Sequence, residues 1–208
     1  MANTTFSGPV RSKGGFTSIS ENATTGAITT LSSISSTGVT SFDANTLSTE
    51  AGTGITGGTG TIYRSSVQRV GGIITTRILI DLTGLRSTAS GDIIGVNGTS
   101  NVCHLGQITA AQNGTILTGS MECFEAPTGG DPDINVHSAT ESTGVEDGAI
   151  SDLTETLLVN AGDATLGSKV YFTAVPAADE FLYLTLGDTT DADYTAGKLF
   201  IELMGYAA

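Results

Sequence analysis

Histidine is the side chain most often used for proton transfer near neutral pH, and this chain has two, His104 and His137. His104 directly follows Cys103 in Val102-Cys-His-Leu, so a thiol nucleophile with a histidine base is the first chemistry to weigh. The stretch reads as a strand, where neighbours point to opposite faces, and that separates the two groups. A second possibility is a cation site, because Asp188, Asp191 and Asp193 lie close in sequence, as do Asp131 and Asp133. Oxygen-rich turns hold Ca²⁺, but an EF-hand loop needs alternating ligands, a central glycine and a terminal glutamate, and no loop here has that pattern. The expectation is solvated acidic turns, with no metal and no cofactor. Nucleophile elbows, phosphate loops, zinc helices and paired Cys-x-x-Cys motifs do not occur. A carboxylate-pair hydrolase or a stacking lectin would line its cleft with aromatics, yet the chain has no Trp and 6% aromatic residues. The chain reads as non-enzymatic.

The elements that would position such groups are strands. With 28 glycines, abundant Thr and Ser, and only 14% charged residues, the composition suits pleated surfaces and tight turns. Thr61–Val70 and Ile73–Leu82 read as two strands joined by Gly71-Gly72, with Ile74, Ile78, Ile80 and Leu82 on one parity. Asn97-Gly98 and Asn113-Gly114 are hairpin signals, which together predict a β-meander. Residues 125–152 read as a long acidic connection, with a short helix marked by Ile150, Leu153, Leu157 and Leu158. The runs at 169–175, 180–186 and 197–204 are dense enough in apolar residues for central strands. The expected fold is mainly β, an antiparallel sandwich or barrel-like body over residues 61–208. Residues 1–60, a Gly/Ser/Thr-rich stretch, are expected to form an extended N-terminal arm or a small strand region. Cys103 and Cys123, each within a strand-like run, are expected as buried free thiols rather than a disulfide.

Charge divides along the chain. Residues 1–86 hold six cations against four carboxylates, and residues 87–208 hold two against seventeen, giving the total of −13. So acidic a chain is a poor match for nucleic acid, whose phosphates call for dense Lys and Arg. No apolar run reaches membrane-spanning length, and the first residues lack the charged and apolar regions of a secretory signal. The layout suits an assembly component with two faces for different partners.

Several segments resemble small structural proteins of tailed bacteriophages, chiefly those infecting marine bacteria. They are the opening Met1–Phe16, Gly130-Asp-Pro-Asp-Ile134, Tyr171-Phe-Thr-Ala-Val-Pro176, Phe181-Leu-Tyr-Leu184 and Tyr194-Thr-Ala-Gly-Lys198. Similar-sized β-rich proteins of this kind include capsid decoration, or cement, proteins, usually trimers. The resemblance implies a virion protein made in the host cytoplasm that binds the major capsid protein as a homotrimer, with no membrane or nucleic-acid partner. A head fibre base, another tail component, or a ligand-binding adhesin module are the alternatives. On this reading the contact residues are Phe6, Val10, Arg11 and Phe16 on the arm, with Arg64, Arg69, Arg77 and Arg86 on the body.

Overall fold

The computed structural model describes residues 16–22, 24–26, 28–34, 40–42, 47 and 49–207. They fall in two compact units that divide between Ala44 and Asn45. In the first, β1 (Phe16–Glu21), β2 (Ile28–Ile34) and β3 (Thr40–Phe42) form an antiparallel sheet in that order.

The second unit is the β body. Its elements are α1 (Thr53–Thr56), β4 (Ile62–Val70), β5 (Ile73–Asp81), β6 (Arg86–Ser87), α2 (Ala110–Asn113), β7 (Thr115–Thr128), β8 (Ile134–Ala139), a 3-10 turn (Ile150–Asp152), β9 (Glu155–Val159), β10 (Lys169–Tyr171), β11 (Phe181–Leu186), β12 (Ala192–Asp193) and β13 (Ala196–Tyr206). A five-stranded antiparallel sheet, β10-β7-β13-β5-β4, packs against a three-stranded one, β11-β8-β9. Alternation builds the core between them. Ile74, Ile78 and Ile80 of β5 and Leu199, Ile201 and Leu203 of β13 are at most 1% exposed, and they share one cluster with Val136, Leu182 and Leu184 of the other sheet. This is the mainly β, sandwich-like body expected from the sequence.

The sheets are also tied at their margins. Beyond β10 the chain crosses to β9, where the Thr173 amide donates to the Leu158 carbonyl at 2.9 Å. The outer edge of β11 is covered by irregular backbone: Ile94 and Leu105 donate to Leu184 and Leu182, and Leu182 donates to Gly106. That cover satisfies the amides an edge strand would otherwise expose.

Three expectations change. The body begins at Asn45 rather than at residue 61. Leu47 and Ile55 are 2% and 0% exposed, and Gly52 and Gly54 donate backbone hydrogen bonds to His104 and Val102 at 2.9 Å. A Cβ on Gly52 would lie 2.0 Å from the Val102 carbonyl oxygen, so only glycine allows that approach. The two Asn-Gly pairs do not build the expected meander, because neither Asn97 nor Asn113 takes the positive φ that a type I′ turn requires at both central residues. Asn113 instead closes α2: its amide oxygen accepts from the Thr109 backbone at 2.8 Å, and its nitrogen donates to Thr76 Oγ1 at 2.7 Å. The acidic connection contains the end of β7 and all of β8, and the short helix is one 3-10 turn followed by β9. The β8 strand escaped notice because His137 and Ser138 occupy buried positions that usually hold apolar residues.

Candidate interaction surface

The chemistry-bearing residues do not converge. Cys103 and His104 are both buried, in irregular backbone rather than a strand. The Cys103 thiol donates to the Asn101 carbonyl, and burial pushes it up to about 12. The His104 ring stacks at a tilt on Phe181, 5.0 Å between centroids, and meets Tyr183 edge-on, while burial lowers its pKa. His137 bonds Glu155 through Nδ1 at 2.7 Å, joining β8 to β9. Asp191 and Asp193 close on Arg86 at 2.7 and 2.9 Å, which fastens β12 to β6. Among the described residues no group of three or more His, Cys, Asp or Glu is placed to hold a metal.

What the fold does display is the outer face of the five-stranded sheet. Period two puts Lys198, Phe200, Glu202, Met204 and Tyr206 of β13 on this face, opposite the buried Leu199, Ile201 and Leu203. Register then carries the face across the sheet. Phe200 lies beside Leu79 of β5 and Glu122 of β7, and Glu202 lies beside Arg77 and Ser120. Arg64 follows beside Leu79, and Lys169 beside Glu122.

The charges on this face neutralise one another. Arg77 Nε donates to Glu202 at 2.8 Å and its Nη1 to Gln68 at 3.1 Å. Lys169 lies 3.5 Å from Glu122. Lys198 bridges Asp81 at 3.3 Å and Glu125, spanning β5, β13 and β7. Burial pushes the Asp81 carboxyl up, but the Thr83 hydroxyl and amide and the Lys198 ammonium outweigh it and hold it below the ordinary carboxylate value. With Arg64, four cations stand against four carboxylates, so the whole net charge of −13 lies elsewhere on the chain.

Between these pairs sit uncovered apolar groups. Phe124, at an irregularity in the β7–β13 register, stacks on Phe200 at 5.2 Å with rings 10° from parallel. Leu117, at a second irregularity, is 56% exposed, and Tyr171 is 68% exposed. A contiguous surface of this kind, apolar and electrically balanced, has the composition of a protein–protein interface.

Of the contact residues expected from the sequence, Arg64 and Arg77 stand on this face. Arg69 lies on the other parity of β4, near its exposed end, and Arg86 is held by its two aspartates away from the sheet. Arg64 and Arg69 make no ion pair among the described residues, whereas Arg77 and Arg86 are satisfied within the chain. Phe16 stands half-exposed on β1, and Phe6, Val10 and Arg11 lie outside the described residues. Sequence reasoning missed Phe124, Tyr171, Phe200, Met204 and Tyr206. The available signal was Lys198 and Glu202: charges four apart within an apolar run mark the solvent parity, and Phe200, midway between them, shares it. No protein-family model, curated protein or solved structure matches the chain.

Proposed function

We propose that this chain is a non-enzymatic structural protein of a tailed-phage virion, a decoration protein that lies on the outer surface of the major capsid protein lattice through the outer face of its five-stranded sheet. The observation that carries the reading is the charge distribution. An acidic protein that must settle on a shell among its own copies needs one face without net charge, and the sheet provides it. The carboxylates elsewhere keep the remaining surface hydrated and mutually repulsive. The resemblance of the chain's opening and of its later strands to phage structural proteins supports the same reading. The two free, buried thiols suit assembly in a reducing cytoplasm.

The test is retention on shells. Phe124, Leu117 and Tyr171 are exposed, so changing all three to Ser should leave the fold intact. The triple variant is expected to bind purified capsids at least about tenfold more weakly, as the loss of a hot-spot aromatic cluster does. Asp147→Lys, at an exposed turn off the sheet, should bind as the parent does. Full binding by the triple variant would refute the proposed docking face. Absence of the chain from purified virions by mass spectrometry would refute the function.

A further inference from the structure

β4 is one edge strand of the five-stranded sheet, the short β10 being the other, and among the described residues the only backbone hydrogen bonds it makes are to β5. The two-residue turn at Gly71-Gly72 fixes which of its groups are free. It makes Val70 and Ile73 a hydrogen-bonded pair, so Ile62, Arg64, Ser66 and Gln68 also turn their amides and carbonyls toward β5. Tyr63, Ser65, Val67 and Arg69 turn theirs outward. In keeping with that phase, Arg64 Nη1 donates to the Tyr63 carbonyl at 2.8 Å, a side chain standing in where a neighbouring strand would donate. The β11 edge is covered and β9 is tied to Thr173, but among the described residues nothing pairs with the outer edge of the nine-residue β4. Such an edge is a template for pairing with another chain.

We propose that β4 pairs antiparallel with β4 of a second copy about a twofold axis at Ser66. In this register the outward groups meet as hydrogen-bonded pairs, Tyr63 with Arg69 and Ser65 with Val67 of the partner subunit. On the exposed face, Ile62 (46% exposed) faces Val70 (78% exposed), and Arg64 faces Gln68. No two charges of like sign stand opposite each other. Arg69, which makes no ion pair among the described residues, arrives beside Tyr63 of the partner subunit. Pairing a strand with itself is isologous and closes at two copies, so the free protein is a dimer rather than the trimer expected from the sequence. The inference is independent of docking, since the paired edges leave the outer faces of both sheets open.

Light scattering on the full chain at micromolar concentration, without capsids, should give the mass of two copies. Ser66→Cys should cross-link copies under mild oxidation. At the axis it forms a non-hydrogen-bonded pair with Cα atoms about 4.5 Å apart, a separation that a disulfide spans. Gln68→Cys, which faces Arg64 of the partner subunit, should not cross-link. Arg69→Pro removes an outward amide without touching the β5 ladder, and should raise the dissociation constant by at least about tenfold. A monomer, a trimer, or equal cross-linking at positions 66 and 68 would overturn the proposal. So would a monomer whose β4 amides gain exchange protection only when capsid shells are added, because the edge would then belong to another protein.

Discussion

Burial raises the thiol of Cys103 to about 12 and raises that of Cys123 as well, so neither is a thiolate at ordinary pH. Both should resist a thiol reagent at pH 8 in the folded protein and react fully in denaturant. Rapid labelling of Cys103 in the native state would contradict the packing described. Asp133 makes a second prediction at this scale. Burial, then the neighbouring charges of Asp131, Asp163 and Asp188, raise its pKa, and its buried Oδ1 has no hydrogen-bond partner among the described residues. A carboxyl raised on folding favours the folded state below its unfolded pKa, and that contribution is lost as pH rises through the folded value. Asp133→Asn keeps the shape without the charge. It should therefore melt above the parent at pH 7, with the two proteins converging below the ordinary carboxylate range; coincident melts at pH 7 would count against it. The free, buried thiols were legible in the sequence, whereas the alternation argument against a Cys103–His104 pair presumed a strand that the structure replaces with irregular backbone. The partners of Asp133 were not legible, because Asp163 and Asp188 reach it through tertiary structure alone.

Among the elements, the β4–β5 hairpin was readable in full, since a two-glycine turn between alternating runs leaves few other structures open. Its two glycines are not equivalent. Gly71 has φ +62° and Gly72 does not, the pattern of a type II′ turn, and a Cβ at either position would meet open space. Gly72→Asn should therefore stabilise by about 0.4–1 kcal/mol through the unfolded chain. Gly71→Ala should destabilise by about 1–2 kcal/mol, the cost of a left-handed residue with a Cβ. Denaturant midpoints of the two variants should move in opposite directions, and movement in the same direction would contradict the turn type. The two Asn-Gly signals misled because the dipeptide fits other structures: at Gly114 it ends a helix, where φ is +69° and a Cβ would meet the Tyr206 carbonyl. The interaction face was half legible. Strand parity could be read from Lys198 and Glu202, but the register that places Phe200 beside Leu79, and the irregularity that turns Phe124 outward, arise only once β5, β7 and β13 pair.

For the whole molecule, the charge split seen along the sequence is not the split in space: the neutral sheet face draws its carboxylates from both halves of the chain, with Asp81 from the first and Glu122, Glu125 and Glu202 from the second. Unit boundaries were equally hard to read, because Leu47 and Ile55 are isolated apolar residues in a glycine-rich run and only their neighbours show them buried. Removing residues 1–44 should leave a body that melts cooperatively. Removing 1–60 should abolish the transition or lower stability by roughly 4–10 kcal/mol, about twice the 2–5 kcal/mol of a single buried Leu or Ile truncation. Equal melting of the two truncations would show that residues 45–60 add nothing. The position of β13 sets the order of events in synthesis. Among the described residues it is the last strand along the chain, yet it lies in the middle of the large sheet between β5 and β7. Until residues 196–206 have been made, the β4–β5 hairpin and the β7–β10 pair are two half-sheets with no strand to join them. A nascent chain can collapse, but it cannot complete the outer face of its large sheet or its core, and the non-local pairing makes the joining step slow. Fragments that stop short of β13 therefore carry two unjoined half-sheets and no complete sheet face, however well each half has folded.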